Sequence, residues 1–280
     1  WDSSVYIGMG KYLYSDAGFW ESTRPVIWPL MLGFLWKLGN VIILGRILEI
    51  ILGGFCVLLT YLIGLRLFEK KTALLASFLL AVSPAFFFFN GIMLTEIASL
   101  FFLLLGLYLL AKGSHFASGI LFGIAFLTRF LQFIAFVSIL MAFFYIGKQK
   151  TLGKHTKIIA GFLIVLSIFL IFNFFMYKNP ILPFTEHIIL TKNSGWHNHQ
   201  PLKFYFIKLF NENVFYLLLF FGLFLIIKNN NDKKMLVALP FLAFFIFFNF
   251  LKQKEMRFLI ILMPYMFLLL SFSIFEILHK

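Results

Sequence analysis

The 280-residue chain is 62% hydrophobic and only 12% charged, with 42 phenylalanines and a mean hydropathy of +0.97. In soluble domains about a quarter of the residues are charged. This composition therefore excludes an ordinary soluble protein and indicates an all-α, polytopic transmembrane helical bundle. The net charge of +13 comes from Lys and Arg between apolar runs, where membrane orientation and anionic lipid explain it, so nucleic acid is not an expected partner. The single Cys56 excludes an intrachain disulfide.

The first 40 residues contain no run long enough to cross a membrane, and we predict that 1–40 is an outer loop. Within it, the 25–39 stretch PVIWPLMLGFLWKLG predicts a helix at the outer interface, with its Trp residues at headgroup depth. Because residue 1 would then already lie outside, we expect that a first transmembrane helix is missing upstream. A removed signal peptide is the alternative.

Seven apolar runs predict membrane spans, because about 20 apolar residues cross the hydrocarbon core. They lie at 41–66, 72–90, 92–111, 157–177, 212–228, 234–251 and 257–278. The 112–148 stretch is too long for one span and carries Arg129 and Gln132 near its centre. Since a charge at mid-bilayer is costly, it predicts a helical hairpin with Arg129 at its tip. We expect residues 1–280 to form one transmembrane domain.

Short loops dense in Lys and Arg predict the orientation of the chain. The basic loops 66–72, 112–115, 147–157 and 228–234 are expected in the cytoplasm. The outer face would then hold 1–40, the Asn90–Gly91 turn, the Arg129 tip, 178–211 and 252–256. We therefore expect a multi-pass protein of the cell membrane with its active site on the extracytoplasmic face.

Charged residues from five separate places in the chain are expected to converge at that face. They are Asp2, Arg24, Glu96, Arg129 and Arg257. Glu96 lies about one turn inside the outer boundary and has no basic residue at i±3 or i±4, so its partner must lie elsewhere. Glu49 has Arg46 at i−3 and is interpreted as a structural ion pair. For Arg129, snorkelling and ligand binding remain equally open.

The outer segment 178–211 is rich in possible ligand-binding side chains. These include Pro183, His187, Trp196, His197 and His199. It could close over a substrate, with His187 and Trp196 as contacts, or form an amphipathic interfacial segment. A metal site of His197, His199 and Glu186 is disfavoured because its spacing is not that of a helix-borne site. No cofactor or metal is expected, although a divalent ion is left open.

Several motifs together resemble polytopic glycosyltransferases of the C-type fold. The runs WDSSVYIGMGKYLYS, RPVIWPLMLGFLWKLG and GRILEIILG resemble the first outer loop and following helix of dolichyl-phosphate-mannose protein mannosyltransferases and the bacterial aminoarabinose lipid A transferase. GILFGIAFLTRFLQFI resembles their small-residue hairpin, and KQKEMRFLIILMPYMF their basic element before the last helix. The chain departs from this pattern in having Ser3 where many relatives have a second acid. We also expect no counterpart within residues 1–280 of their first helix or of a large soluble domain after the last span.

The resemblance implies transfer of a sugar, a hexose such as mannose, from a polyprenyl-phosphate donor such as dolichyl phosphate to a protein, lipid or glycan, with inversion. It implies Asp2 and Glu96 as catalytic residues and Tyr6 as a substrate contact. The expected phosphate-binding residues are Arg24, Arg257, Lys254 and Arg129. One alternative is a transporter or flippase of lipid-linked sugars, although the internal repeat typical of transporters is not found. An inactive fragment or a non-catalytic assembly subunit is the other.

Overall fold

The computed structural model describes residues 2–15, 17–147, 152–193, 199–228 and 232–278. Within these ranges the chain forms α-helices and short 3-10 turns, with one isolated bridge between His199 and Gln253. The helices are α1 Asp2–Ser15, α2 Ile27–Trp36, α3 Val41–Leu67, α4 Lys70–Ala81, α5 Pro84–Phe89, α6 Thr95–Ala111, α7 His115–Thr128, α8 Gln132–Gly147, α9 Leu152–Tyr177, α10 Leu182–Asn193, α11 Phe204–Glu212, α12 Leu218–Lys228, α13 Met235–Phe250 and α14 Leu259–Leu278. The predicted all-α bundle is confirmed.

Three helical segments of the described chain are long and apolar enough to cross a membrane. They are Val41–Leu67, Leu152–Tyr177 and Met256–Leu278. α14 lies at the centre of the bundle, since every residue from Leu259 to Ser273 is buried. α3 and α9 instead expose many large apolar side chains, as expected of helices that face lipid. Shorter apolar helices, among them α6, α7, α8 and α13, complete the bundle.

The segment predicted as an outer loop, 1–40, contains the two helices α1 and α2, of which only α2 was predicted. Buried side chains at Val5, Tyr6 and Met9 follow the helical period and pack α1 inward. α1 crosses α2 closely, because a Cβ atom on Gly10 would lie only 3.1 Å from the backbone nitrogen of Gly33. The predicted interfacial helix exists as α2, but Trp28 is enclosed by protein and does not face the headgroups.

The predicted span at 72–90 is divided into α4 and α5. Pro84 has no backbone N–H, and the Ser83 hydroxyl accepts the N–H of Phe86 at 3.4 Å, so a new helix begins there. Hydropathy does not detect this break because both helices are apolar.

The predicted hairpin is confirmed as α7 and α8, which are separated by Arg129 in an extended conformation. A Cβ atom on Gly119 would lie 2.0 Å from the carbonyl oxygen of Ile158, so the α7 and α9 backbones are in direct contact. This close packing fixes the depth at which Arg129 is held. The outer segment 178–211 also contains two helices, α10 and α11.

Candidate functional site

Asp2 begins α1 and is bound by two arginines from distant parts of the chain. Its Oδ1 lies 3.1 Å from Arg24 Nη1, and its Oδ2 accepts from Arg257 Nη1 at 2.6 Å. Burial raises the pKa of the Asp2 carboxyl, but the hydrogen bond from Arg257 and the charges of Arg24 and Arg257 outweigh burial and hold that pKa below its ordinary value. Asp2 is therefore ionised at neutral pH.

Arg257 follows the 252–256 segment and contacts three carboxylates. Besides Asp2, its Nε lies 2.5 Å from Glu255 Oε2 and 3.8 Å from Glu96 Oε1. Its side chain is 16% exposed. The arginine thus joins the two carboxylates that were expected to be catalytic.

Glu96 lies in the first turn of α6 and finds its partner on the hairpin tip. Its Oε1 is 2.8 Å from Arg129 Nη1, and the Glu96 side chain is only 2% exposed. Arg129 also donates to the Thr95 hydroxyl at 3.1 Å. Within the described part of the chain, neither Glu96 Oε2 nor Arg129 Nε has a hydrogen-bond partner although both atoms are buried. Buried polar atoms without partners need an explanation, and a polar ligand bound between Glu96 and Arg129 would provide one.

Arg24 lies between an acid and an aromatic ring. Its Nε is 3.1 Å from Glu21 Oε1, and its guanidinium lies 5.8 Å from the centre of the Tyr6 ring. Tyr6 is buried, and burial raises the pKa of its phenol, which therefore remains protonated. Glu21 and Glu255 were not predicted as site residues from the sequence. Their spacing could have indicated them, since Glu21 lies three residues before Arg24 and Glu255 two residues before Arg257.

α10 holds the 21–24 segment from the side. The Ser22 hydroxyl donates to Glu186, and the Nδ1–H of His187 donates to the carbonyl oxygen of Thr23 at 3.0 Å. Burial and the nearby charge of Arg24 lower the pKa of His187, so its ring is neutral at neutral pH. His187 therefore supports the segment that carries Arg24. It lies at the edge of the charged cluster, which consists of Asp2, Arg24, Glu96, Arg129 and Arg257.

Lys254 does not lie among the charged residues of the cluster. Its ammonium donates to the carbonyl oxygens of Gln200 at 3.0 Å and Leu251 at 2.5 Å. These bonds tie the 252–256 segment to the start of the α11 region. Trp196 and His197 lie outside the described residues. Of the described side chains, no three His, Cys, Asp or Glu form a group that could hold a metal ion.

The interpretation of Glu49 as the partner of Arg46 was wrong. Arg46 is exposed, whereas Glu49 is fully buried and accepts the backbone N–H groups of Met93 and Leu94. The i−3 spacing gave no sign of a partner so distant in the chain.

An apolar groove of about 450 Å³ lies between α11, α12 and α13. Phe206, Phe220 and Phe245 line it, and Lys203 lies at its edge. Tyr205 precedes the lining residue Phe206 in α11, and its hydroxyl donates to the carbonyl oxygen of Glu255 at 3.0 Å, so α11 is bonded to the segment before Arg257.

More than half of the chain matches a known protein family. The family model described as dolichyl-phosphate-mannose-protein mannosyltransferase matches residues 23–173, which is more than half of the chain. The chain belongs to this family. Its apolar helices and its membership of the family make it a multi-pass membrane protein. A search of curated proteins gave no match.

Two solved structures of ArnT from Cupriavidus metallidurans share the fold of this family member. The apo structure matches with a TM-score of 0.75 at 14% identity, over 98% of this chain and 55% of ArnT. The structure bound to undecaprenyl phosphate matches with a TM-score of 0.70 at 12% identity, over 98% and 56%. The chain therefore spans little more than half the length of ArnT.

Proposed function

We propose that the protein is a polyprenyl-phosphate-dependent membrane glycosyltransferase whose reaction takes place at the Asp2 cluster. The observation that supports this most is the convergence of two carboxylates and three guanidiniums from five separate places in the chain. Family membership and the undecaprenyl phosphate bound to ArnT support a lipid-phosphate donor.

Arg24 and Arg257 would bind the donor phosphate and stabilise the charge that develops on it as it leaves. A guanidinium presents a planar pair of donors that matches two phosphate oxygens. Arg129 would contribute its unpartnered Nε from the hairpin tip. The isoprenoid chain would lie along the apolar groove, since α11, which lines it, is bonded to the segment before Arg257.

The proposed reaction is a single displacement. A hydroxyl oxygen of the acceptor forms a bond to the anomeric carbon while the bond from that carbon to the phosphate oxygen breaks, and the configuration is inverted. The hydroxyl proton passes to Asp2, and undecaprenyl phosphate leaves. Because Asp2 has a lowered pKa, it accepts this proton only as the attacking oxygen becomes positively charged. Glu96 would orient the acceptor or the reacting groups.

The identity of the sugar and the side of the membrane on which transfer takes place are also proposed. We propose that the sugar is a hexose such as mannose, as the family description suggests, with aminoarabinose as the competing donor. The extracytoplasmic face is proposed because the short loops after α3, α6 and α12 contain Lys and Arg, as is typical of cytoplasmic loops, and Glu96 begins α6 at the end opposite to its basic loop. A protein, a lipid or a glycan remain candidates for the acceptor.

The test uses the full-length protein in native membranes with synthetic undecaprenyl-phosphate mannose or undecaprenyl-phosphate aminoarabinose. Release of undecaprenyl phosphate and formation of a glycosylated product are measured by mass spectrometry; this is called the transfer assay below. Asp2→Asn should lower the transfer rate by about 10²-fold or more, the usual contribution of a positioned base. Binding of undecaprenyl phosphate should remain.

The matched control is Glu69→Gln, which changes an exposed acid at the other end of the bundle. It should leave transfer unchanged. Transfer by Asp2→Asn within a few-fold of the wild type would remove Asp2 from the proposed mechanism, and no transfer by the wild type from either donor would contradict the proposed function.

A further inference from the structure

One buried acid outside the charged cluster holds the turn from which Glu96 projects. Glu49 lies in α3 with no exposed surface, and no ion pair joins it to any described residue. Its Oε2 accepts the backbone N–H of Met93 at 2.5 Å, and its Oε1 accepts that of Leu94 at 3.1 Å. A buried carboxyl group is costly without hydrogen-bond partners, and these two bonds offset part of that cost.

The segment that Glu49 binds, Gly91–Thr95, has an unusual backbone and is called the 91–95 turn. Met93 has φ +57 and Gly91 has φ +138. A non-glycine residue with positive φ is strained and persists only where its surroundings hold it. Leu94 precedes α6 without any side-chain cap of its own. Glu49 therefore binds the N–H of Leu94, which directly precedes α6, and that of Met93, which has the positive φ.

The face of α3 around Glu49 is shaped to receive the 91–95 turn and the residue before it. Gly45 lies one turn before Glu49, and a Cβ atom there would lie 2.7 Å from Met93 Sδ. Gly53 lies one turn after it, and a Cβ atom there would lie 2.3 Å from Asn90 Nδ2. Gly45, Glu49 and Gly53 are four residues apart and therefore lie on one face of α3. The Glu49 carboxyl group thus lies between two positions where residues 90–93 pack closely against the α3 backbone.

The same turn contacts the other parts of the cluster. Ile92 accepts from the Ser3 hydroxyl at 2.6 Å, directly beside Asp2. The carbonyl oxygen of Met93 accepts from the Trp28 indole at 3.2 Å. Thr95 accepts from Arg129 at 3.1 Å. A displacement of the 91–95 turn would therefore move Glu96 relative to Asp2 and to Arg129.

We propose that Glu49 is a positioning residue for sugar transfer: by holding the 91–95 turn, it fixes the distance between the Asp2 and Glu96 carboxylates without touching the substrate. This inference rests on the proposed function.

The first test compares Glu49→Leu and Glu49→Gln in the transfer assay. Glu49→Leu removes both acceptors and should lower kcat by about 10²-fold, as misplacement of a reacting group by about 1 Å does. KM for the lipid donor should stay within a few-fold, because the phosphate-binding arginines are untouched. Glu49→Gln keeps one acceptor oxygen and should lose only about tenfold.

A matched control and a double variant separate positioning from folding. Thr60→Val removes a buried hydrogen bond to Cys56 on the same helix, far from the 91–95 turn, and should leave kcat unchanged. In Glu49→Leu/Glu96→Gln, the two losses should not multiply, because Glu49 acts through Glu96. Fully multiplicative losses, or a wild-type kcat in Glu49→Leu, would overturn the proposal.

Hydrogen exchange tests the same contact without any donor. In the wild type, the amides of Met93 and Leu94 should be protected, and Glu49→Leu should expose them to exchange at least tenfold faster. If Glu49→Leu does not fold, Glu49→Gln should still speed exchange at one of the two amides. Unchanged exchange in Glu49→Gln together with wild-type kcat would reject the proposal, and this outcome is distinct from a failure of the wild type to transfer sugar.

Discussion

Arg257→Lys separates the charge of the proposed phosphate site from its geometry. Arg257 uses Nη1 for Asp2 at 2.6 Å and Nε for Glu255 at 2.5 Å, so two different edges of its guanidinium are engaged. A lysine ammonium keeps the charge but is a compact point on a flexible stem. It can reproduce neither the two separate contacts with Asp2 and Glu255 nor the planar pair of donors that a guanidinium offers to a phosphate.

The size of the effect follows from the loss of one such bond. A hydrogen bond to a charged group contributes about 1.5–3 kcal/mol, so the loss of one is worth about 2 kcal/mol. Since about 1.4 kcal/mol corresponds to a tenfold change in rate, kcat/KM should fall about 30-fold. Undecaprenyl phosphate is the proposed product and carries the fully developed charge, so its Kd should rise by a similar factor.

The measurement is kcat/KM in the transfer assay together with the Kd of undecaprenyl phosphate for purified protein. Arg66→Lys is the matched control, because Arg66 lies at the other end of α3 and packs 6.0 Å from the centre of the Tyr108 ring. That control should behave as the wild type. Wild-type kcat/KM and Kd in Arg257→Lys would refute the assignment of Arg257 to the donor phosphate.

Three further predictions address Glu96, pH and orientation. Glu96→Gln should lower kcat by about 10²-fold in the transfer assay while the protein still extracts as a single folded species; loss of folded protein instead would make Glu96 structural. Because its ion pairs lower the pKa of Asp2 in the folded state, the Tm advantage of the wild type over Asp2→Asn should be complete at neutral pH. This Tm difference should disappear as the pH falls below 3.8, the pKa of Asp2 in the unfolded chain, and through the lower pKa of Asp2 in the folded protein. An equal Tm difference at pH 2 and pH 7 would contradict the ion pairs. A cysteine at Lys71 should react with an impermeant thiol reagent only from the cytoplasm and one at Lys203 only from outside, since the native Cys56 is buried; the reverse labelling would invert the proposed orientation.

The convergence of the charged residues could be predicted from the sequence because hydropathy and loop charge decide which ends of the helices share a face. Asp2, Arg24, Glu96, Arg129 and Arg257 lie at segment ends that this pattern places together. A buried acid without a local partner, such as Glu96, must have one elsewhere, and the Arg129 hairpin tip supplies it.

The role of Glu49 could not be predicted in the same way. Helical spacing identifies which side chains are neighbours on one helix, but the partners of Glu49 are backbone amides 44 and 45 residues away. The helical nature of α1 was also missed, because a polar and aromatic composition conceals the short buried stripe of Val5, Tyr6 and Met9. Such partners become visible only when tertiary packing brings the segments together.

The ion pairs around Arg24 and Arg257 bear on discrimination among anionic lipids. Both guanidiniums already contact carboxylates that are held at 2.5–3.1 Å by the protein itself. A phospholipid headgroup must compete with these tethered carboxylates, which have a high effective concentration at the arginines. The charge of an abundant membrane lipid therefore contributes little net binding energy at these arginines. A lipid displaces the carboxylates only if its other groups contribute binding energy, and this requirement favours a rare lipid with a sugar and a long isoprenoid chain over the bulk of the bilayer.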